Sequence, residues 1–177
     1  TQDLKDEEYI NSHYVIMATK KGQVKKTLLE QYSRPRANGI NAITIKDEDE
    51  LLEAKLTTGN SQILLAVKSG KAIRFEEDKT RPMGRSASGV RGITLNGPSD
   101  EVIGMVSVSD SETEILVVSE NGYGKRSSLD DYRTTNRGGK GVKTLSITDK
   151  TGELVSIKNV SDLDGLMTVS YTHLRAH

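Results

Sequence analysis

Residues 115–147 have the sequence ILVVSENGYGKRSSLDDYRTTNRGGKGVKTLSI, which contains every part of the repeating unit of this chain. An apolar run over residues 115–119 reaches a turn at Gly122, and the basic pair Lys125-Arg126 follows. An Arg/Gly-rich loop then leads into a second β-branched run. Short runs of this kind, bounded by Gly, Asn and Ser, favour strands over helices. The stretch therefore predicts an antiparallel hairpin, a basic loop and a closing strand.

The same pattern occurs twice earlier in the chain. In one copy, the apolar run 63–67 and Gly70 precede Arg81-Pro-Met-Gly-Arg85. In the other, the run 14–19 and Gly22 precede Arg34-Pro-Arg36. A period of about 50 residues built from short strands is typical of a propeller-like array. The sequence therefore predicts an all-β fold of four-stranded blades, about three of which are present.

Aligning the three copies predicts blades at residues 14–61, 62–113 and 114–165. Residues 1–13 are expected to be a truncated segment between blades, and residues 166–177 the start of a further blade with a non-native tail. Asn121-Gly122 predicts a type I′ turn, each fourth strand is expected to pair with a neighbour in space, and no amphipathic helix is predicted. The predicted strands are Tyr14–Thr19, Val24–Leu28, Asn41–Ile45, Glu50–Leu56, Ile63–Val67, Ala72–Phe75, Gly92–Leu95, Glu101–Val108, Ile115–Ser119, Gly124–Ser127, Thr144–Ile147 and Glu153–Lys158.

Composition excludes several classes of protein. The chain has no Cys, so disulfides and thiolate metal sites are absent. No apolar stretch approaches the ~20 residues that span a bilayer. The net charge is zero, with 25 basic and 25 acidic residues, which argues against a uniformly basic DNA-binding protein. The charges are segregated, however, and a local basic belt can attract phosphate whatever the total charge.

The basic loops are the candidate binding sites. The glycines of Arg137-Gly-Gly-Lys-Gly141 allow close approach of a backbone to phosphate, and Arg and Lys supply charge. A solvated surface loop explains one such loop equally well, and Lys on exposed strands also protects against aggregation. Recurrence in three units favours the binding interpretation.

No catalytic set is present in the sequence. The three histidines lie outside the repeats, at His13, His173 and His177, which argues against a His-based general base or metal site. Acidic clusters such as residues 47–50 are better explained as solvated turns than as cation sites. An aromatic content of 4% argues against base-stacking on single strands.

Four motifs resemble the C-terminal domain of the bacterial DNA gyrase A protein, over about residues 14–167. They are KKGQVKKT (20–27), RPMGR with GVRGI (81–93), ENGYGKR (120–126) and RGGKGV (137–142). The resemblance implies a β-pinwheel whose neighbouring blades exchange strands and whose rim wraps duplex DNA. Residues 135–141 match the last five of the seven positions of the family's hallmark box, QRRGGKG, and are either that box or a related loop of another blade.

The resemblance implies the functional assignments, and the repeat supplies the positions of the basic residues. The chain is expected to support ATP-dependent negative supercoiling by a cytoplasmic, chromosome-associated type II topoisomerase, with the gyrase B protein and the rest of the gyrase A protein in an A2B2 holoenzyme. It is expected to carry no catalytic residue, metal or cofactor itself, because ATP and Mg²⁺ bind elsewhere in the holoenzyme. The alternatives are the corresponding domain of topoisomerase IV and a propeller-type protein-interaction scaffold. The predicted contacts to double-stranded DNA are Lys25, Lys26, Arg34, Arg36, Arg74, Arg81, Arg85, Lys125, Arg126, Arg133, Arg137, Gly138, Gly139, Lys140, Gly141 and Lys143.

Overall fold

The computed structural model describes residues 4–109 and 113–167, which form one short helix and eleven strands. Helix α1 spans Glu7–Ser12. The strands are β1 (Tyr14–Thr19), β2 (Gln23–Leu28), β3 (Leu51–Thr57), β4 (Gln62–Val67), β5 (Lys71–Glu76), β6 (Val90–Arg91), β7 (Val102–Val108), β8 (Glu114–Ser119), β9 (Gly124–Ser128), β10 (Val142–Lys143) and β11 (Leu154–Val160). The predicted all-β class is confirmed.

The strands form three antiparallel sheets, in the orders β3-β1-β2-β6, β10-β5-β4-β7 and β11-β8-β9. Strand β6 follows β5 in the chain but pairs with β2 of the preceding sheet, where Val24 lies opposite Val90. In the same way β10 pairs with β5, and Ala72 lies opposite Val142. Neighbouring units therefore exchange a closing strand, as the resemblance implies.

The exchanged strands differ from the predicted closing strands. Residues 41–45 form no strand, and β6 and β10 are two-residue strands that end before the predicted runs 92–95 and 144–147 begin. Those runs turn away from the ladder because Gly92 N and Thr144 N donate instead to the carbonyls of Gly22 and Gly70, at 2.7 and 2.8 Å. Each closing segment is thus hydrogen-bonded to the hairpin turn of the preceding unit.

The fourth strand of each unit joins its own sheet. Strands β3, β7 and β11 pair with β1, β4 and β8, each with a register shift. Strand β7 also contacts both β3 and β11, so these three edges converge. The sheets fan out from that convergence, and β6 and β10 lie at the opposite, outer edge.

Two hydrophobic clusters separate the three sheets, and β4 contributes to both. Ile63, Leu65 and Val67 face the first cluster, while Leu64 and Ala66 face the second. Successive strand residues point to opposite faces, so a strand covered on both sides is apolar throughout rather than alternating. All five side chains are at most 1% exposed, and burying each large one contributes about 1.5–3 kcal/mol.

The predicted type I′ turn at Asn121-Gly122 is wrong. Among the described residues Glu48 is the sole non-glycine with positive φ, whereas type I′ needs positive φ at both central positions. In all three hairpins the glycine N–H instead donates to the residue three before it, and the glycine alone is left-handed. This is a type I turn closed by a left-handed glycine.

Helix α1 lies in residues 1–13, a range expected to be a truncated segment between blades. Asp6 caps it by accepting hydrogen bonds from Glu8 N and Tyr9 N, at 3.1 and 3.2 Å, a signal in the sequence that the prediction overlooked. Residues 166–167 form no strand, and the rest of the predicted further blade and tail lies outside the described residues. No helix within residues 4–109 and 113–167 is long and apolar enough to span a membrane.

Candidate nucleic-acid interface

Two glycines bring the Arg-rich loops onto the outer edge. Gly141 has φ +74°, and a Cβ there would lie 2.5 Å from the carbonyl oxygen of Ala72. Gly89 has φ +92° and would collide with the carbonyl of Val24 in the same way. Only glycine combines this conformation with such close backbone approach. The chain therefore crosses directly over the preceding unit's second strand and carries its basic loop with it.

The outer-edge segments 34–44, 81–94 and 133–145 contain nine basic residues and no acidic residue. We call these nine side chains the basic belt. Seven are exposed, and Arg85 and Arg137 are half-buried. The members of the belt are Arg34, Arg36, Arg81, Arg85, Arg91, Arg133, Arg137, Lys140 and Lys143.

Two arginines of the belt occupy equivalent places and make equivalent bonds. Arg137 Nη1 donates to the carbonyl of Arg91 at 2.5 Å, and Arg85 Nη1 donates to the carbonyl of Asn41 at 3.2 Å. The two acceptor residues also occupy equivalent places, because Arg91 lies two residues after Gly89 and Asn41 lies two residues after Gly39. A carbonyl orients the guanidinium without cancelling its charge, and a guanidinium has five N–H donors. Both arginines therefore keep donors for an anion.

Hydrogen bonds join successive loops into one continuous edge. Thr94 N donates to the carbonyl of Gly139 at 2.8 Å, and Gly138 N donates to the carbonyl of Gly92, also at 2.8 Å. Between the first two units, Thr44 Oγ1 donates to the carbonyl of Ser86 at 2.6 Å. Because Gly138 N–H is used here, it is not available to a phosphate. Any contact of the predicted site residue Gly138 with phosphate therefore cannot use its backbone N–H.

The charges of the belt are uncompensated, whereas some lysines elsewhere in the chain are paired with carboxylates. Lys20 pairs with Glu50 at 2.6 Å, and Lys68 pairs with Glu101 at 3.1 Å. These carboxylates raise the pKa of both lysines. Within residues 4–109 and 113–167, no member of the belt forms an ion pair. Positive potential therefore concentrates at the outer edge, which explains how a chain with zero net charge can attract a polyanion.

The prediction of phosphate contacts is wrong for Lys25 and Lys26, which are buried. Lys25 is 0% exposed, and its Nζ donates to the carbonyls of Ala42, at 2.6 Å, and Arg85. Lys26 is 4% exposed and lies 3.4 Å from Glu77 of the next unit. Adjacent strand residues point to opposite faces, and here both faces are covered.

Arg74 also has a structural role. Its guanidinium donates to Gln62 Oε1 and to the carbonyls of Leu129 and Tyr132, at 2.9 and 3.0 Å, in the next unit. Arg74 therefore joins the second unit to the third from the position that Lys26 occupies in the first. Its Nε and Nη1 donors are therefore used within the protein, and its contact with phosphate stays a prediction.

The equivalent pair in the third unit is exposed. Lys125 lies on the surface, and Arg126 pairs with Glu114 and with Asp162, at 2.5 Å to the latter. These carboxylates raise the pKa of Arg126 and neutralise its charge locally. Lys125 is therefore available to a phosphate, whereas Arg126 has competing partners.

Arg91 is a member of the belt that is absent from the predicted contacts. It is exposed on β6, two residues past Gly89, as Lys143 lies two residues past Gly141. Aligning the second and third units on Gly89 and Gly141 would have identified Arg91 as the equivalent of Lys143. An open groove of about 490 Å³ lies nearby between the first two loops, and Arg36 and Arg85 line it together with uncharged residues.

The family model described as "DNA gyrase C-terminal domain, beta-propeller" matches residues 13–58, 62–109 and 113–161. The DNA gyrase A protein of Staphylococcus epidermidis (strain ATCC 12228 / FDA PCI 1200) is 47% identical over 96% of this chain. The corresponding protein of Staphylococcus aureus (strain MRSA252) is 45% identical over the same share. The chain spans 18% and 19% of the length of these two relatives.

Two solved structures share the fold. The C-terminal domain of DNA topoisomerase IV superposes with a TM-score of 0.80 and 25% identity, over 85% of this chain and 47% of that one. The DNA gyrase A C-terminal domain superposes with a TM-score of 0.74 and 26% identity, over 86% of this chain and 50% of that one.

The three sheets exchange strands and converge at one edge, and the basic loops lie along the opposite edge. This arrangement defines a propeller-like domain of the β-pinwheel class. Within that class, the chain matches one family model three times in succession, and two relatives are 47% and 45% identical to it. The chain belongs to the family of DNA gyrase A C-terminal domains.

Proposed function

We propose that the basic belt binds duplex DNA and bends it along the outer edge, as the wrapping element of a gyrase A protein. The observation that carries this proposal is the run of nine basic and no acidic residues along three loops that are hydrogen-bonded into one edge. Contacts to phosphate position a duplex without reading its sequence. We therefore expect weak sequence preference.

Bending duplex DNA costs more free energy than the phosphate contacts of one loop can offset. Duplex DNA has a persistence length of ~150 bp, and bending a short site costs on the order of 1–6 kcal/mol. Repeating a phosphate-binding loop around a curved edge supplies many contacts to offset this cost. DNA wrapped with a fixed handedness would present a crossing of two duplex segments to the catalytic core of the holoenzyme. Passage of one segment through the other would then introduce negative supercoils.

The wider assignment follows from this role. The partners are the gyrase B protein and the rest of the gyrase A protein in an A2B2 holoenzyme, acting on the chromosome in the bacterial cytoplasm. ATP and Mg²⁺ would be used elsewhere in that assembly, and this chain would contribute DNA geometry rather than catalytic residues.

The first test is a gel shift with linear duplex across a salt series. Each neutralised phosphate contributes about −0.9 to the slope of log affinity against log salt, so engagement of the whole belt gives about −8. Lys140→Ala with Lys143→Ala should make the slope about 1.8 less steep. Lys158→Ala, which removes an exposed lysine of β11 outside the belt, should leave it unchanged. Absence of a salt-dependent shift would refute the proposal.

The second test is ligation of nicked circles in the presence of the chain. Wrapping predicts a positive change in linking number that grows with protein concentration, whereas binding without wrapping predicts none. The TM-score of 0.80 favours, as a second candidate, the corresponding domain of a topoisomerase IV. Duplex binding without a change in linking number would support that candidate. Capture of an acidic protein with no affinity for duplex would support the interaction scaffold.

A further inference from the structure

Lys25 lies at the centre of β2, beneath the junction of the first two basic loops. Its Nζ donates to the carbonyl of Ala42 at 2.6 Å and to the carbonyl of Arg85. Ala42 belongs to the first loop and Arg85 to the second, 60 residues from Lys25. One buried ammonium therefore holds both loops in place.

The open groove lies next to these carbonyls. Arg36 lines it from the first loop, and Arg85 lines it from the second. The Arg85 guanidinium is itself oriented by the carbonyl of Asn41, at 3.2 Å. Two arginines at the groove and one buried ammonium under it suit a phosphate group better than any neutral ligand.

The groups around Lys25 make its charge sensitive to that phosphate. Burial, and then the charge of Arg85, lower the pKa of Lys25 to about 8. From β1 it faces Met17, which is uncharged, and from the helical turn after β2 the Tyr32 hydroxyl donates to the same Ala42 carbonyl, at 2.8 Å. The neighbouring Lys26 is directed to Glu77 instead. No carboxylate among the described residues pairs with Lys25.

We propose that Lys25 is a positioning residue that couples DNA binding to its own protonation. Its ammonium fixes the Arg85 loop, and a backbone phosphate in the groove favours the charged form. By linkage, protonation of Lys25 must then strengthen DNA binding by the same factor. This inference rests on the proposed function. The equivalent residues in the other units are Ile73, which is uncharged, and Lys125, which is exposed.

The test measures duplex affinity from about pH 7 to about pH 9 at constant ionic strength. If DNA raises the pKa of Lys25 by about half to one unit, affinity should weaken about two- to fivefold over this range. Lys25→Met should bind with no such step. Lys125→Met, at the same repeat position on an exposed surface, should retain it. Calorimetry in two buffers of different protonation enthalpy should detect proton uptake near pH 8 for the wild type and none for Lys25→Met.

The possible outcomes separate the role of Lys25 from the binding of DNA itself. A salt-dependent shift whose strength is the same at both pH values would refute the role of Lys25 and leave the proposed function intact. A pH step that survives in Lys25→Met would assign the proton to another group and also refute it. Absence of binding at every pH would refute the proposed function and this inference with it. If Lys25→Met does not fold by circular dichroism, the ¹³Cε shift of Lys25 in the wild type should titrate higher with duplex than without, and an unchanged titration would refute the coupling.

Discussion

The buried pair Lys26–Glu77 gives the strongest stability prediction, because it connects the first two units. Its Nζ and Oε1 atoms are 3.4 Å apart, and the side chains are 5% and 0% exposed. At an effective dielectric constant of about 20, two charges at this distance attract by about 5 kcal/mol. Glu77 also accepts hydrogen bonds from Thr57 Oγ1 and Ser61 N, and Lys26 lies 4.3 Å from the Tyr14 ring centroid.

Removing either partner leaves a buried charge unpaired. Lys26→Met or Glu77→Leu alone should reduce the free energy of unfolding by about 3–5 kcal/mol, because desolvation of the remaining group is no longer compensated. Leucine is the natural replacement for Glu77, since Leu29 and Leu129 occupy the equivalent buried position in the other units. The double variant removes both charges and should be more stable than either single variant by about 2 kcal/mol or more.

Urea unfolding followed by circular dichroism provides the double-mutant cycle, with an unchanged m-value as the check that the same surface unfolds. Additive losses, with no coupling free energy between the two positions, would contradict the assignment of this pair as a buried bridge. The double variant should also bind duplex DNA like the wild type, because Lys26 is not at the surface. A folded double variant with lower affinity for duplex DNA would show that Lys26 does contact DNA.

Three further outcomes are expected. Gly141→Ala should lower the free energy of unfolding by about 2–5 kcal/mol, from left-handed backbone strain and collision with a carbonyl, whereas Gly39→Ala, also left-handed but in open space, should cost about 1–2 kcal/mol in the same urea assay. The depressed pKa of Lys25, about 8 against 10.5 unfolded, means that its burial cost is present below pH 8 and relieved as pH rises towards 10.5. Wild type should therefore gain up to about 3 kcal/mol over Lys25→Met across that window in pH-dependent urea titrations. Leu65→Ala should cost about 2–5 kcal/mol in thermal or urea unfolding, because it opens a cavity in a fully buried cluster.

Local patterning was sufficient to predict most of the strands. The observed β1 matches its predicted bounds, and β4 and β8 begin one residue earlier than predicted. Each hairpin depends on a β-branched run and a glycine that can adopt positive φ, and both are properties of adjacent residues. The two-residue closing strands were misplaced because hydrogen bonds to another unit's turn, rather than local propensity, end them.

Side-chain roles in the site depended on the tertiary structure. Lys25-Lys26 and Lys125-Arg126 are similar pairs at the same repeat position, yet the first pair is buried and the second is exposed. In the first unit the next unit's loop covers one face of β2 and Glu77 lies against the other. A charge pattern along a strand cannot reveal which neighbour packs on it.

Residue type and spacing were enough to establish the three-fold repeat, the hairpin glycines and the location of eight of the nine basic residues of the belt. Those features depend on interactions that act over a few residues. Which basic side chains reach solvent, and which link one unit to the next, became known from the folded chain alone. The physical reason is that burial, ion pairing and strand exchange occur between units about 50 residues apart in the sequence. The repeat period shows that these units are similar, but it does not show which of their side chains are in contact.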